Sequence, residues 1–396
     1  MTTTINNEHK KLNVPNLRFK EFQGEWEKRT LDKVCVFHNG RAYKQNELLQ
    51  SGKYRVLRVG NFFTNDSWYY SNLELEEEKI AVRGDLLYAW SASFGPRFWH
   101  EEKVIYHYHI WKVDSFQNVT KSYLYYYLEK DATKIKNEVQ GGTMVHITKG
   151  DMEKRAITYP CIEEQKKIAK LLSIIDERIS TQSKIIEDLK KLKSAIIEKV
   201  FNGKHSEKLQ LNDVGSYIRG LTYSSNDVVE HGDTIVMRSN NIINGSLLDY
   251  NNNVVFVNKQ MSAEQQLQNG DVVICMANGS SSLVGKSSFY DGSCHSPITV
   301  GAFCGIYRSK ESIVKWLFQT NKYRRYIWNS LQGGNGAIAN LNGEDILNMS
   351  FSIPNATIKD TCVKMLTSVD SALENNMSLC ALYTLQKQHL LRQMFI

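Results

Sequence analysis

One stretch constrains the fold more than any other: Ile162 to Phe201, IEEQKKIAKLLSIIDERISTQSKIIEDLKKLKSAIIEKVF. Apolar residues recur at Leu172, Ile175, Ile179, Ile186, Leu189, Ile196 and Val200, in steps of three, four or seven. That is a heptad seam and not a strand alternation. Pro160 stands before the start, and Asn202-Gly203 offer a left-handed stop. Glu163/Lys167 and Glu187/Lys191 are i,i+4 pairs lying off the seam. A helix of about forty residues is roughly 60 Å long. A single small globule cannot cover that length, so the helix needs a partner.

The same chain supplies it. The last forty residues repeat the pattern at an offset of 194 (Phe201 to Phe395). The shift carries Leu172 to Leu366, Ile175 to Val369, Asp176 to Asp370, Ile179 to Leu373, Lys193 to Lys387 and Ile196 to Leu390. Tyr383 joins this second seam, and its polar break Asn376 answers Gln182. Keeping apolar and polar positions together marks an internal repeat. The two helices are expected to run antiparallel. Gln182, at the midpoint of the seam, would then face Asn376 as a register-fixing polar layer.

The segments between the helices repeat as well. EKRTLDKVCVFHNGRAY (27 to 43) matches EKLQLNDVGSYIRGLTY (207 to 223), and YRVLRVGN matches TIVMRSNN. GDLLYAWSAS from Gly84 matches GDVVICMANGSS from Gly270. In the first copy YRVLRVGNFF, GDLLYAWSAS and VIYHYHIWKV read as strands, KSYLYYYLEKDATKIKNEV as a helix and QGGTMVHITKGD as a Gly-rich loop. SIVKWLFQTNKYRRYIWNSLQGG matches that helix and loop in the second. The expected class is α+β. It comprises an N-terminal globule over 1–161 (residues 1 to about 15 reading as disordered), a spacer helix over 162–203, a second globule over 204–355 and a distal helix over 356–396.

A net charge of +7 is compatible with an acidic partner without naming one. No run approaches eighteen apolar residues, so nothing reads as a membrane span. The N-terminus, MTTTINNEHKKLNVP, lacks the apolar core of a signal peptide. The seven cysteines show no CxxC pair and read as reduced thiols in a cytoplasmic protein.

Three features together resemble the specificity subunit of type I restriction-modification systems: PNLRFKEFQGEW near the start, PCIEEQKKIAKLLSIID from Pro160 to Asp176, and the duplicated globule-plus-helix layout. The resemblance covers nearly the whole chain. It implies that the globules are target recognition domains, each reading one half of a split, asymmetric double-stranded DNA sequence. It implies helices that space the domains and dock two modification subunits, which methylate adenine with S-adenosylmethionine. Restriction/translocase subunits that use ATP and Mg are the further partners it implies, with no cofactor in this chain and no membrane. The second copy departs from the family string, with Thr357-Ile358-Lys359-Asp360 in place of Glu163-Glu164-Gln165-Lys166.

DNA recognition needs cations for phosphates and planar or amide groups for base edges. The first globule offers Arg41, Tyr43, Lys44, Arg58 and Asn61, then Trp90, Ser91, Ser93 and Arg97, then Thr143, Met144 and His146. The second offers Arg219, Tyr223, Arg238, Asn240 and Asn241, then Asn278, Ser280, Ser281 and Lys286, then Asn335. Lys322, Arg324 and Arg325 beside Tyr323, Tyr326 and Trp328 form a basic-aromatic helix face, open to phosphate contact or to plain solvation.

Competing motifs weigh less. Gly279 to Ser287 resembles a phosphate-binding loop but has five residues between glycines where four are needed. Asp85 with Glu101-Glu102-Lys103 has nuclease-like spacing, yet Gly84-Asp85 and Gly270-Asp271 match as turns. His107 and His109 alternate on an expected strand and read as aromatic packing, lacking further metal ligands. No two prolines are adjacent, so the Asn/Asp-Pro-Pro-aromatic string that holds a flipped adenine is missing. The reading is a non-catalytic recognition subunit. A metal-dependent endonuclease and a coiled-coil scaffold without base specificity are the alternatives.

Overall fold

The computed structural model describes residues 13–63, 65–91, 94–138, 146–203, 207–331 and 339–396. It resolves into two compact units, one of residues 1–181 with 379–396 and one of 182–378.

The first unit contains two four-stranded sheets. One is antiparallel, in the order Val36–Asn39, Ile110–Asp114, Leu86–Ala89, Gly95–Phe98. All four residues of Leu86–Ala89 are buried, as a strand covered on both faces requires. The other runs Tyr69–Ser71, Tyr54–Leu57, Val104–Tyr106, Ile80–Ala81, its central pair parallel. A ribbon of Glu27–Thr30 and Ala156–Tyr159 and the helix Lys121–Glu138 complete the unit.

Two segments expected as single strands are not. VIYHYHIWKV leaves one sheet at Tyr106 and enters the other at Ile110, turning through His107–His109, where the Ile110 N–H donates to His107 O. The crossing is tight: a Cβ on Gly40 would stand 2.3 Å from His107 O. YRVLRVGNFF is a strand only over Tyr54–Leu57 and becomes helical over Val59–Phe63. The Asn61 side chain stops the strand there by accepting from the Arg58 N–H and donating to Asn65 O and Ser67 O.

The second unit repeats the plan. Gly215–Arg219, Cys304–Ser309, Val272–Cys275 and Ser287–Phe289 form its antiparallel sheet. Val228–Val229, Val255–Val257, Thr234–Met237 and Ile298–Val300 form the mixed one. The parallel registers correspond: Val56 pairs with Ile105, and Val236 with Thr299. The edge strands differ, Ile80–Ala81 lying beside the parallel pair and Val228–Val229 on the opposite edge. The expected single helix is two, Val314–Leu317 and Asn321–Leu331, because the Thr320 hydroxyl donates to Leu317 O and accepts from the Tyr323 N–H. That closes one helix and caps the next.

The long helices span Ile162–Phe201 and Ala356–Met394. In the first unit Asp176 meets Lys387 at 2.7 Å and Arg178 lies over Tyr383. In the second, Gln182 Nε2 donates to Asn376 Oδ1, and Lys193 meets Asp370 at 2.7 Å. Partner numbers fall as the central helix advances, so the pairing inside each unit is antiparallel. Leu172, Ile175, Gln182, Leu366 and Leu373 are buried. Ile179, Ile186, Leu189, Ile196, Val369, Asn376, Tyr383 and Leu390 are half-buried.

The head of the central helix is tied down by the N-terminal motif. Arg18 grips the buried Glu164 through Nε (2.9 Å) and a terminal nitrogen (2.8 Å), a bidentate fork. The Gln165 amide bonds Thr120 N, Asn118 O and Pro160 O. The second copy has no such clasp among the described residues: Ile358 is 50 % exposed and Lys359 pairs with Glu311.

Candidate nucleic-acid interface

In the first unit the inter-sheet turn gathers the candidate residues. Backbone bonds fix its frame: the Gly40 N–H donates to Ile110 O, Arg41 N–H to Tyr106 O and Trp90 N–H to His109 O. Arg41 pairs with Glu47 at 2.8 Å and lies over the Tyr43 ring, which stacks on His107. Burial raises the Tyr43 phenol well above its ordinary range, so it stays protonated. Arg58 covers Tyr69, its centre 4.3 Å from the ring centroid, and donates to Ser67 O.

Trp90 stacks on Trp111 and donates to Tyr108 O, with the rings of His109 at 5.0 Å and His146 at 6.0 Å. Burial, then His109 and Arg58, push the His107 imidazole down to about 4. Burial and then His146 lower that of His109. Both rings are therefore neutral near pH 7, each with one donor and one acceptor nitrogen. Among groups of described residues, none of three or more His, Cys, Asp or Glu is placed to hold a metal ion. Aromatic alternation makes His107, Tyr108 and His109 read as part of a buried strand and hides their place in this turn. The signal that could have found them is their counterpart, Gly301-Ala302-Phe303, whose residues are too different for a shared core position.

The second unit builds the same frame with other side chains. The Gly220 N–H donates to Cys304 O, Leu221 N–H to Val300 O and Met276 N–H to Phe303 O. Tyr223, Arg238, Asn278 and the 69 % exposed Phe303 line a cavity of about 540 Å³. Asn278 donates to Ser239 Oγ at 3.3 Å and accepts from the Ser280 N–H. Lys286 and Ser281 lie apart from these, in a second hollow with Arg324 and the 63 % exposed Trp328.

Several expected contacts are placed otherwise. Asn241 is 1 % exposed and its amide donates to Asp249 O and Asn252 O, so it organises a loop as Asn61 does. Ser91 is buried, bridged through its backbone to His146, itself exposed. Lys322 lies over Tyr326 and Phe351 while Tyr323 is buried, which leaves Arg324, Arg325 and Trp328 outermost on that helix. Arg97 is exposed beside Phe63, and Lys44, Arg219, Asn240 and Ser280 are exposed. Ser93, Thr143, Met144 and Asn335 lie outside the described residues.

The competing motifs take ordinary roles. Asp85 accepts from the Val82 N–H and pairs with Lys112, Asp271 accepts from the Gln268 N–H and pairs with Arg308, and each follows a glycine of positive φ. Glu101 pairs with Arg55 instead. The Gly279–Ser287 loop runs into the strand Ser287–Phe289, whereas a phosphate-binding loop opens a helix. His107 and His109 occupy a turn and not one strand.

The chain is similar to known proteins in sequence and in fold. A family model described as the type I restriction modification DNA specificity domain matches residues 23–191 and 204–379. The MjaVIII type I restriction enzyme specificity subunit of Methanocaldococcus jannaschii is 32 % identical over 126 residues, 32 % of this chain and 30 % of that protein. The EcoKI specificity subunit of Escherichia coli is 34 % identical over 158 residues, 37 % of this chain and 31 % of that protein. These matches thus span under a third of either relative's length. The crystal structure of the type I restriction-modification S subunit from M. genitalium shares the fold, with a TM-score of 0.62 at 15 % identity over 97 % of this chain and 99 % of that one. No helix among the described residues is long and apolar enough to cross a membrane. Matched twice, once in each half, this chain belongs to the type I restriction modification DNA specificity domain family.

Proposed function

We propose that the chain is the DNA sequence-recognition subunit of a type I restriction-modification complex, each unit reading one half-site of an asymmetric, interrupted target. One observation carries this: two units hold the same backbone frame while presenting different side chains from it. Two readers of unlike half-sites need that combination. The shared Arg58 and Arg238 supply charge for phosphates, and the side chains around the turn supply base-edge contacts. The paired helices set the separation of the readers and dock the modification subunits, which bring S-adenosylmethionine. Restriction subunits, with ATP and Mg, join that assembly. The chain itself is non-catalytic.

The test exchanges residues 207–353 for those of another family member and sequences the methylome of a host expressing the chimera with its modification partner. One half of the methylated motif should change. A change in both halves, or in neither, sinks the modular reading.

A further inference from the structure

We infer that half-site choice resides in the side chains of the inter-sheet turn, His107-Tyr108-His109 in the first unit and Gly301-Ala302-Phe303 in the second, and not in the cationic hollow of Lys286 and Arg324. The inference rests on the recognition function proposed above and names the residues that carry it.

The repeat provides an internal comparison. Where backbone bonds correspond, the positions belong to a common frame. Trp90 N–H to His109 O answers Met276 N–H to Phe303 O, and the bridge of Ser91 to His146 answers the pairing of Ala277 with Asn340. On this frame Tyr43 and Arg58 recur as Tyr223 and Arg238. The turn between them shares no residue: histidine stands against glycine, tyrosine against alanine, histidine against phenylalanine. A surface that only bound backbone would have no use for that divergence.

The two turns also offer different chemistry. The first presents two neutral imidazoles beside the Trp90 indole and the 39 % exposed Tyr108. These donate and accept hydrogen bonds, which suits polar base edges. The second presents Phe303, 69 % exposed and without a hydrogen-bonding group, at the mouth of the 540 Å³ cavity that Arg238 also lines. An exposed ring beside a cation suits the methyl edge of thymine next to a phosphate. Lys286 and Arg324 line a separate hollow, where cations suit phosphates, which carry no sequence information.

The experiment uses the full chain with its modification subunits and reads the methylated motif. His109→Phe and Phe303→His exchange the two identities while leaving every frame bond, which is backbone to backbone. Tyr108→Ala is a second first-unit variant at an exposed position. Each is expected to lower base discrimination at one or two positions by about tenfold or more, the scale of one base contact. The His109 and Tyr108 variants should alter one half-site and the Phe303 variant the other. Arg324→Ala should weaken binding to all sequences and flatten its salt dependence, leaving the motif as it was. An unchanged motif in all three turn variants, or a motif changed by Arg324→Ala, overturns the assignment. An unaltered complex that methylates without a defined motif overturns the recognition function itself.

Discussion

His107 is held half-buried between Tyr43, His109 and Arg58, and its pKa falls from 6.5 to about 4. The unfolded chain takes up a proton at this residue as the pH drops below 6.5, and the folded chain does not until about 4. The stability associated with the neutral ring is therefore complete above pH 6.5 and lost progressively down to about 4. His109, lowered for the same cause, adds in the same direction. His107→Gln should lose less stability than the parent between pH 7 and pH 4.5 in urea unfolding. Equal losses would show that the ring titrates normally in the folded state. The alternation of aromatic residues made this segment legible as buried structure, but a crossing between two sheets leaves no local signature. It depends on Gly40 approaching the His107 carbonyl from sixty-seven residues away in the chain. Asn61 and Asn241 meet the same limit of sequence reading. An amide beside an arginine reads as a base reader, and only the surrounding loop carbonyls reveal that its hydrogen bonds are already made.

Among the elements, the long helices were the most legible, because a heptad is itself a record of burial. Their buried ion pairs were harder to see, since a lysine on a helix normally reads as solvated. Yet Lys193 and Lys387 both sit in the seam, 8 % and 11 % exposed at the side chain, facing Asp370 and Asp176. Repetition of both members at one offset was the available signal. Burial lowers the pKa of Lys193 while Asp370 opposes the shift. Asp370 also accepts from Trp316 Nε1 and pairs with Lys315, and Lys193 donates to Gly245 O. Asp370→Leu strands a buried ammonium and should cost about 3–5 kcal/mol in chemical denaturation. Adding Lys193→Met should recover part of that, because the pair costs most when half of it remains. In the first unit Asp176 is 34 % exposed, so Asp176→Leu should cost less than Asp370→Leu. A double variant no more stable than Asp370→Leu would place the loss on Trp316 and Lys315 and not on the stranded charge.

At the scale of the molecule, the first unit is assembled from distant pieces of chain. Leu17 N–H donates to Gln393 O, Arg18 forks onto Glu164, Lys130 reaches Ile396 O and Tyr123 stacks on Phe395. Each long helix begins in one unit and ends in the other, the divisions falling at Thr181/Gln182 and Ser378/Leu379, beside the Gln182–Asn376 contact. If the helices measure the gap between half-sites, their length is a variable of specificity independent of either reader. Seven residues inserted in both helices next to this polar contact keep the heptad phase, so the seam still closes. They add about 10 Å of helix, close to three base-pair steps at roughly 3.4 Å each. The methylated motif should keep both half-sites and gain about three base pairs between them. The same insertion in one helix alone puts the seam out of step and should abolish methylation instead of shifting it. A motif with its original gap in the doubly lengthened chain would refute the measuring role while leaving each unit's base preference intact.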